Sequence, residues 1–324
     1  MNNKPKNGLF VAVVFSGPAG MAAASALNDA GVSVKVFDEL KEFGGMLAYG
    51  LPEFRLPLKK IRDSIDAAKK MGIIFEQKKI TSVKKLLKEF GGGFDFVVLA
   101  LGAGLGLKTG AAGEDNDKVI DALVFLLNDK FEGKAMLKKG EEVAVVGGGN
   151  SAIDAARVAV KQGAKVTIIY RRTEKEMPAF GDELAKAKNE GVEFEFLRSP
   201  LNYSDSEGGK RIMVSCAEMI LAGEDESGRA RPIETGREIS LVFDKVLLAI
   251  GQKPDFKWLE SEGILVENKI IMINSHYATT LKSVYACGDS ITGAKTIAEA
   301  TRTGLGAARE IIEAMRKGKE KDAK

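Results

Sequence analysis

The sequence predicts an α/β chain of two like domains, with the second inserted into the first. Three observations predict it. A strand–turn–helix–strand unit occurs twice, as VAVVFSGPAGMAAASALNDAGVSVKVFDE (11–39) and VAVVGGGNSAIDAARVAVKQGAKVTIIYRR (143–172). Two further strands end in glycine-rich bends, DFVVLALGAG (95–104) and FDKVLLAIGQKPD (243–255). The last third carries its own strand–turn–helix phrase, VYACGDSITGAKTIAEA (284–300), which returns the chain to the first domain. The expected division is 1–128 plus 253–324 for the outer domain and 129–252 for the inserted one.

Each repeated unit opens on apolar, mostly β-branched residues, the pattern of a parallel strand buried on both faces. Glycines follow at once. A tight turn there lets backbone N–H groups approach a pyrophosphate, and the next helix aims its N-terminus at the negative charge. Pro18 suits the first helical turn, where its missing N–H costs little. The alanine-rich helix over 19–30 can lie close on a sheet and ends at Gly31, as the second ends at Gly163. Gly147, Gly149 and Ala152 complete G-x-G-x-x-A, so both units read as Rossmann-like dinucleotide-binding folds. The first has Gly17 and Gly20, but Phe15 stands where the first glycine belongs. Phenylalanine is poor at positive φ. Either the turn shifts slightly and the site persists, or the site is weakened and the unit is only a scaffold.

The two copies align without a gap, and their ends diverge. Asp38 maps onto Tyr170, Glu39 onto Arg171 and Leu40 onto Arg172. An acid at this place can bond ribose hydroxyls, whereas an arginine pair can hold a 2′-phosphate. One site of each kind implies two different dinucleotides and electron transfer between them, with NADPH preferred over NADH through Arg171 and Arg172. After the arginines, Glu176-Met177-Pro178 reads as entry to a helix. Residues 201–242 have short β runs and turns, the pattern of a small antiparallel meander. A helix starts near Thr296.

Composition bounds the rest. The chain has 324 residues, 45% hydrophobic and 29% charged, as expected for two ordinary globular domains. A net charge of +3 gives no case for nucleic acid or an anionic membrane. No apolar run is long enough to span a bilayer and MNNKPKNG lacks a signal-peptide core, so a cytoplasmic location is expected. Cys216 and Cys287 form no C-x-x-C, which counts against a redox dithiol beside a flavin. His276 is the sole histidine, so no histidine-rich metal site or Ser–His pair is expected, and no catalytic acid or base is required.

The phrase FGGMLAYGLPEFRLPLK (43–59), together with SGPAG, GGGNSAIDAAR and VYACGDSITGAKTIAEA, resembles the small-subunit family of NADPH-dependent glutamate synthase. That family includes flavin subunits of ferredoxin-linked and sulfide-linked NADPH oxidoreductases, and it is similar to the pyridine nucleotide-disulfide oxidoreductase flavoproteins. The likeness runs over about 11–315. It implies FAD in the first unit, NADP in the second, and an electron-accepting partner protein or large subunit in an oligomer or heterocomplex. By this resemblance Ser16, Gly17, Pro18, Ala19 and Gly20 would surround the FAD pyrophosphate, with Asp38 or Glu39 near the ribose. Gly45, Met46 and Arg55 would belong to the flavin-side loop. Gly288 and Asp289 would hold the ribityl chain, and Ala294, Lys295, Thr296 and Ile297 would lie near the isoalloxazine. Gly147, Gly148, Gly149, Asn150, Ser151, Ala152, Arg171, Arg172, Ala249, Ile250 and Gly251 would serve NADPH. Members that serve glutamate synthase carry cysteines that ligate iron–sulfur clusters; with two cysteines this chain cannot hold such clusters on its own.

Overall fold

A computed structural model describes residues 8–322, except 134, 226, 227 and 255. The N-terminal stretch read above for a signal core lies outside the described residues. In chain order, β1 (Phe10–Val14), α1 (Pro18–Asp29) and β2 (Ser33–Asp38) form the first repeat. They are followed by α2 (Leu58–Lys70), β3 (Ile74–Gln77) and β4 (Phe96–Leu99). Next come β5 (Val119–Asp121) and α3 (Ala122–Glu132), then the second repeat as β6 (Glu142–Val146), α4 (Asn150–Lys161) and β7 (Lys165–Tyr170). After α5 (Gly181–Asn189) and β8 (Glu193–Phe196), three long strands follow, β9 (Arg198–Ser206), β10 (Arg211–Glu224) and β11 (Ala230–Phe243). The chain then runs through β12 (Lys245–Leu248), α6 (Lys257–Ser261), β13 (Val284–Ala286), α7 (Asp289–Thr292) and α8 (Ile297–Asp322).

These elements form two compact units. The first holds Met1–Ala48, Leu56–Leu105 and Gln252–Lys324, and the second holds Tyr49–Arg55 and Gly106–Gly251. The first unit is built on a sheet in the order β13-β4-β1-β2-β3, all parallel. Alternation along β1 settles its two faces. Val11 and Val13 face Ala23 and Leu27 of α1 and Ala308 and Ile311 of α8. Ala12 and Val14 face the other way, among Leu99, Leu259 and Ile264.

The second unit repeats that arrangement as β5-β12-β6-β7-β8, again all parallel. Val143 and Val145 pack with Ile153 and Ala156 of α4. Ala144 and Val146 pack with Tyr203, Ile212 and Val214. Those last residues belong to the antiparallel sheet β9-β10-β11, so the meander foreseen over 201–242 serves as the cover of the second sheet face.

Two expectations shift. The main segment of the second unit begins at Gly106, before the expected 129, because β5 is the edge strand beside β12 and α3 packs with it. The helix expected from Glu176 starts at Gly181; Glu174–Glu176 is a 3₁₀ turn, closed by a capping box between Thr173 and Glu176. Among the described residues no helix is long and apolar enough to cross a membrane.

Candidate functional site

Phe15 keeps the positive φ of the glycine at the matching place, Gly147, though not its value. Its φ is +77°, in the left-handed region. Its N–H donates to the Phe37 carbonyl at 2.7 Å, just as Gly147 donates to Ile169 at 3.0 Å in the second unit. The strand-end hydrogen bond is therefore kept, while φ differs from the +138° of Gly147 and the backbone of Phe15 carries the strain of the left-handed region. The carbonyl of Phe15 points onto α1, where a Cβ on Gly20 would stand 2.1 Å from it. Phe15 thus makes glycine obligatory at position 20. The Phe15 side chain packs, partly buried, against the core that holds Phe37 and Leu259.

Beyond this turn the first unit is locked by Ser16 and Asp38. The Ser16 N–H and hydroxyl both donate to Asp38 Oδ2, at 2.9 and 2.5 Å, and Leu40 N–H donates to Oδ1 at 3.0 Å. The Ser16 hydroxyl also accepts from Gly44 N–H at 2.8 Å, which ties down the Gly44-Gly45 loop. A Cβ on Gly45 would stand 2.7 Å from Gly17 Cα. Asp38 is buried, and desolvation raises its carboxyl above the usual range against the pull of these donors. Its charge is directed to the turn, while Glu39 reaches outward to Lys79 at 2.7 Å.

The first turn of α1 has Pro18 at its start, no side-chain cap and no acid. Its free N–H groups and the open space above Gly17 suit a pyrophosphate. Gly288, at φ +73°, closes on the same helix; a Cβ there would lie 2.8 Å from Ala19 Cβ. Asp289 begins α7, and Lys295 N–H donates to it at 3.3 Å. Desolvation raises the Asp289 carboxyl. Ala294 through Ile297 are exposed, and Thr296 caps α8 through Glu299 N–H at 3.2 Å. Met46 starts a helical turn, Met46–Tyr49, half-buried.

The second unit has the same turn with different chemistry. Gly148 stands where Ser16 does and Tyr170 where Asp38 does. The Tyr170 ring lies against Gly148 so closely that a Cβ would come 2.5 Å from it, and its hydroxyl donates to the Glu176 carbonyl at 2.9 Å. Space above Gly149 is open, and α4, like α1, starts with no side-chain cap and no acid in its first turn. Asn150 accepts from Phe180 N–H at 3.0 Å, and Ser151 is exposed. Ala152 is wholly buried and serves packing. Ala249 N–H donates to Val146 at 2.8 Å, and the Ala249 carbonyl approaches Gly147 so closely that a Cβ would stand 2.3 Å away. Ile250 and Gly251 continue from it, Gly251 at φ +118°.

The arginine pair is split. Arg171 is exposed at the end of β7. Arg172 is 3% exposed; its Nε donates to the Ala230 carbonyl at 2.8 Å and its Nη2 to Asp225. Arg55, expected beside a flavin, lies in the second unit. There its Nε meets Asp154 at 2.6 Å, within a charged group completed by Arg157, Glu183 and Glu190. Phe54 sits under Arg157 and Lys161, at 4.3 and 3.8 Å from its ring centre. Burial pushes the Asp154 carboxyl up to about 6, against the attraction of Arg55. Cys216 and Cys287 are each free and buried, each thiol pushed up to about 12 by desolvation. Among the described residues no cluster of metal ligands occurs.

Residues 10–304 match the pyridine nucleotide-disulphide oxidoreductase family. The chain is 36% identical to the NADP(+)-dependent formate dehydrogenase subunit beta of Moorella thermoacetica, over 96% of this chain and 45% of that protein. It is 31% identical to the glutamate synthase [NADPH] small chain of Escherichia coli, over 96% of this chain and 70% of that one. The chain spans about half the length of the first of the curated relatives it matches. FprA of Mycobacterium tuberculosis in complex with NADPH superposes with a TM-score of 0.80 at 18% identity, covering 97% of this chain and 86% of FprA. Thioredoxin reductase of T. acidophilum superposes at 0.72 with 22% identity, covering 94% and 98%. These likenesses show the two-domain fold expected from the repeat.

Proposed function

This chain belongs to the pyridine nucleotide-disulphide oxidoreductase family, and from that premise we propose that it is an FAD-dependent NADPH oxidoreductase that passes electrons to a partner. FAD would occupy the first unit and NADPH the second. The carrying observation is one nucleotide turn built twice with unlike ends, Ser16–Asp38 in one copy and Gly148–Tyr170 with Arg171 in the other. Two equal sites would suit one ligand; two unlike sites suit a donor and an acceptor. The positive φ kept at Phe15 supports binding over a purely structural role.

Bound FAD would take a hydride from NADPH and release electrons onward. The chain's own part is to bind and position, since ring stacking needs no acid or base. Gly17, Ala19 and Gly20 would receive the FAD pyrophosphate, with Asp289 on the ribityl side; Gly149, Asn150 and Ser151 would receive that of NADPH. The buried, free thiols favour an electron-accepting protein over a dithiol carried by this chain. Relatives named as beta or small subunits support a heterocomplex with a large subunit as acceptor. The test is anaerobic titration of the FAD-reconstituted protein with NADPH. The flavin absorbance should bleach. Absence of saturable FAD binding, or a bound flavin that NADPH leaves oxidised, refutes the assignment.

A further inference from the structure

The last helix grips two corners of the first unit with two successive residues. Thr303 of α8 is 1% exposed. Its hydroxyl donates to the Ala300 carbonyl at 2.9 Å, with the Glu299 carbonyl next at 3.2 Å, one turn back on its own helix. That proton is committed, so the oxygen is left as an acceptor, and it takes the Gly288 N–H at 2.8 Å. The Gly288 carbonyl accepts from Ile291 N–H at 3.0 Å. Both backbone groups of Gly288 are therefore fixed, at a φ of +73°, and Asp289 leaves this corner half-buried. The next residue of α8, Gly304, meets the other corner: a Cβ on it would collide with the carbonyl of Ala19, in the first turn of α1. The Cβ of Ala19 in turn fills the space that a Cβ on Gly288 would need.

We propose that Thr303 is a positioning residue for FAD: by holding the Gly288 N–H beside Ala19, it sets the separation between the Asp289 carboxylate on the ribityl side and the pyrophosphate turn of α1. The proposal rests on the assignment of FAD to the first unit, to which all of these residues belong. A dinucleotide pinned at two points gains fully from both only if their separation is set before it binds. The glycine contacts bring the three segments close. The hydroxyl supplies direction, because a hydrogen bond weakens steeply off its axis. Without it the buried Gly288 N–H would lose its acceptor, and glycine has the backbone freedom to turn that N–H elsewhere. Asp289, the next residue, would turn with it.

The test uses the full chain and two ligands, FAD and ADP, which share the adenosine and the pyrophosphate but not the ribityl chain. FAD binding is read by flavin fluorescence quenching and ADP binding by displacement of FAD, so that the first unit alone reports. Thr303→Val keeps the shape and removes the hydroxyl. It should weaken FAD about tenfold, the loss of one charge-assisted contact at Asp289, and leave ADP unchanged. Thr303→Ser keeps the hydroxyl and should bind FAD like the parent. Thr303→Ala, which is smaller, repeats the measurement if the valine variant fails to fold. In an Asp289→Ala background, Thr303→Val should cost FAD little more, because it acts through that carboxylate. A Thr303→Val variant that binds FAD like the parent, or that loses FAD and ADP by the same factor, overturns the proposal. A serine variant as weak as the valine one, or a full further tenfold loss in the Asp289→Ala background, overturns it too. A parent that binds no FAD overturns the flavin assignment itself, and this proposal with it.

Discussion

Replacing Phe15 separates the two things this residue does. Its backbone sits at φ +77° and its side chain packs against the Phe37 core. Phe15→Ala and Phe15→Gly lose the same packing, so comparing them isolates the backbone. At an ordinary position glycine is the worse of the two by roughly 0.5–1 kcal/mol, because it frees the unfolded chain. In the left-handed region a Cβ costs about 1–2 kcal/mol. The order therefore inverts: Phe15→Gly should be the more stable variant by roughly 0.5–1 kcal/mol. For a chain of this size that is on the order of 1 °C in melting temperature, with a clearer separation in urea midpoints. Fluorescence titration with FAD should show saturable micromolar binding by the parent and by Phe15→Gly, since the turn is common to both. A Phe15→Ala variant as stable as Phe15→Gly would refute the strained turn.

Gly149→Ala meets open space and an ordinary backbone, so the variant should fold as stably as the parent. It should lose NADPH affinity, read by titration, because its methyl fills the approach to the pyrophosphate; unchanged affinity would move the nucleotide elsewhere. Arg171→Ala should slow flavin reduction by limiting NADPH about tenfold and barely affect NADH. Arg172→Ala should instead destabilise the fold by about 1.5–3 kcal/mol, the worth of hydrogen bonds from a charged group; a normal melt would mean those bonds carry no load. Asp154 gives a pH test. Its carboxyl is raised to about 6 from an unfolded value near ~3.9, so it favours the folded state at low pH and that advantage is lost as pH rises through about 6. Relative to Asp154→Asn, the parent should lose on the order of 3 kcal/mol between about pH 4 and pH 7 in urea melts. A pH-independent difference would contradict the burial of a charged carboxylate.

What could be read from the sequence was local. Strand, glycine turn, helix and second strand follow each other within thirty or so residues, and their spacing encodes the doubled fold directly. The meander was also legible, from its β runs and turns, but not its job of covering Ala144 and Val146. Roles that depend on distant partners were not legible. Arg172 reads as half of an arginine pair until Asp225 and Ala230 arrive, 53 and 58 residues later. Arg55 lies in a loop phrase shared with flavoproteins, yet its guanidinium meets Asp154 on α4. Asp38 marks the end of β2 correctly, but nothing in its position announces that one of its oxygens serves the turn at Ser16 and the other the Leu40 N–H. Phe15 gave a true warning about strain: it holds a positive φ at an angle unlike that of Gly147, with the hydrogen bond to Phe37 retained.

The exchange of Ser16–Asp38 for Gly148–Tyr170 limits how one repeat could ever have been converted into the other. A serine at 148 would collide with the tyrosine ring, 2.5 Å from its first side-chain carbon. An aspartate at 170 facing Gly148 would lose the hydroxyl that supports it and leave a buried carboxylate short of donors. Each half-step is worse than either end point, so the two positions are bound by epistasis. Descendants of a duplicated ancestor would have to cross that valley through a double change or a bridging intermediate. The same coupling warns the engineer: a strand-end residue moved from one repeat to the other must travel with its turn partner as a cassette, because the two are packed as a pair.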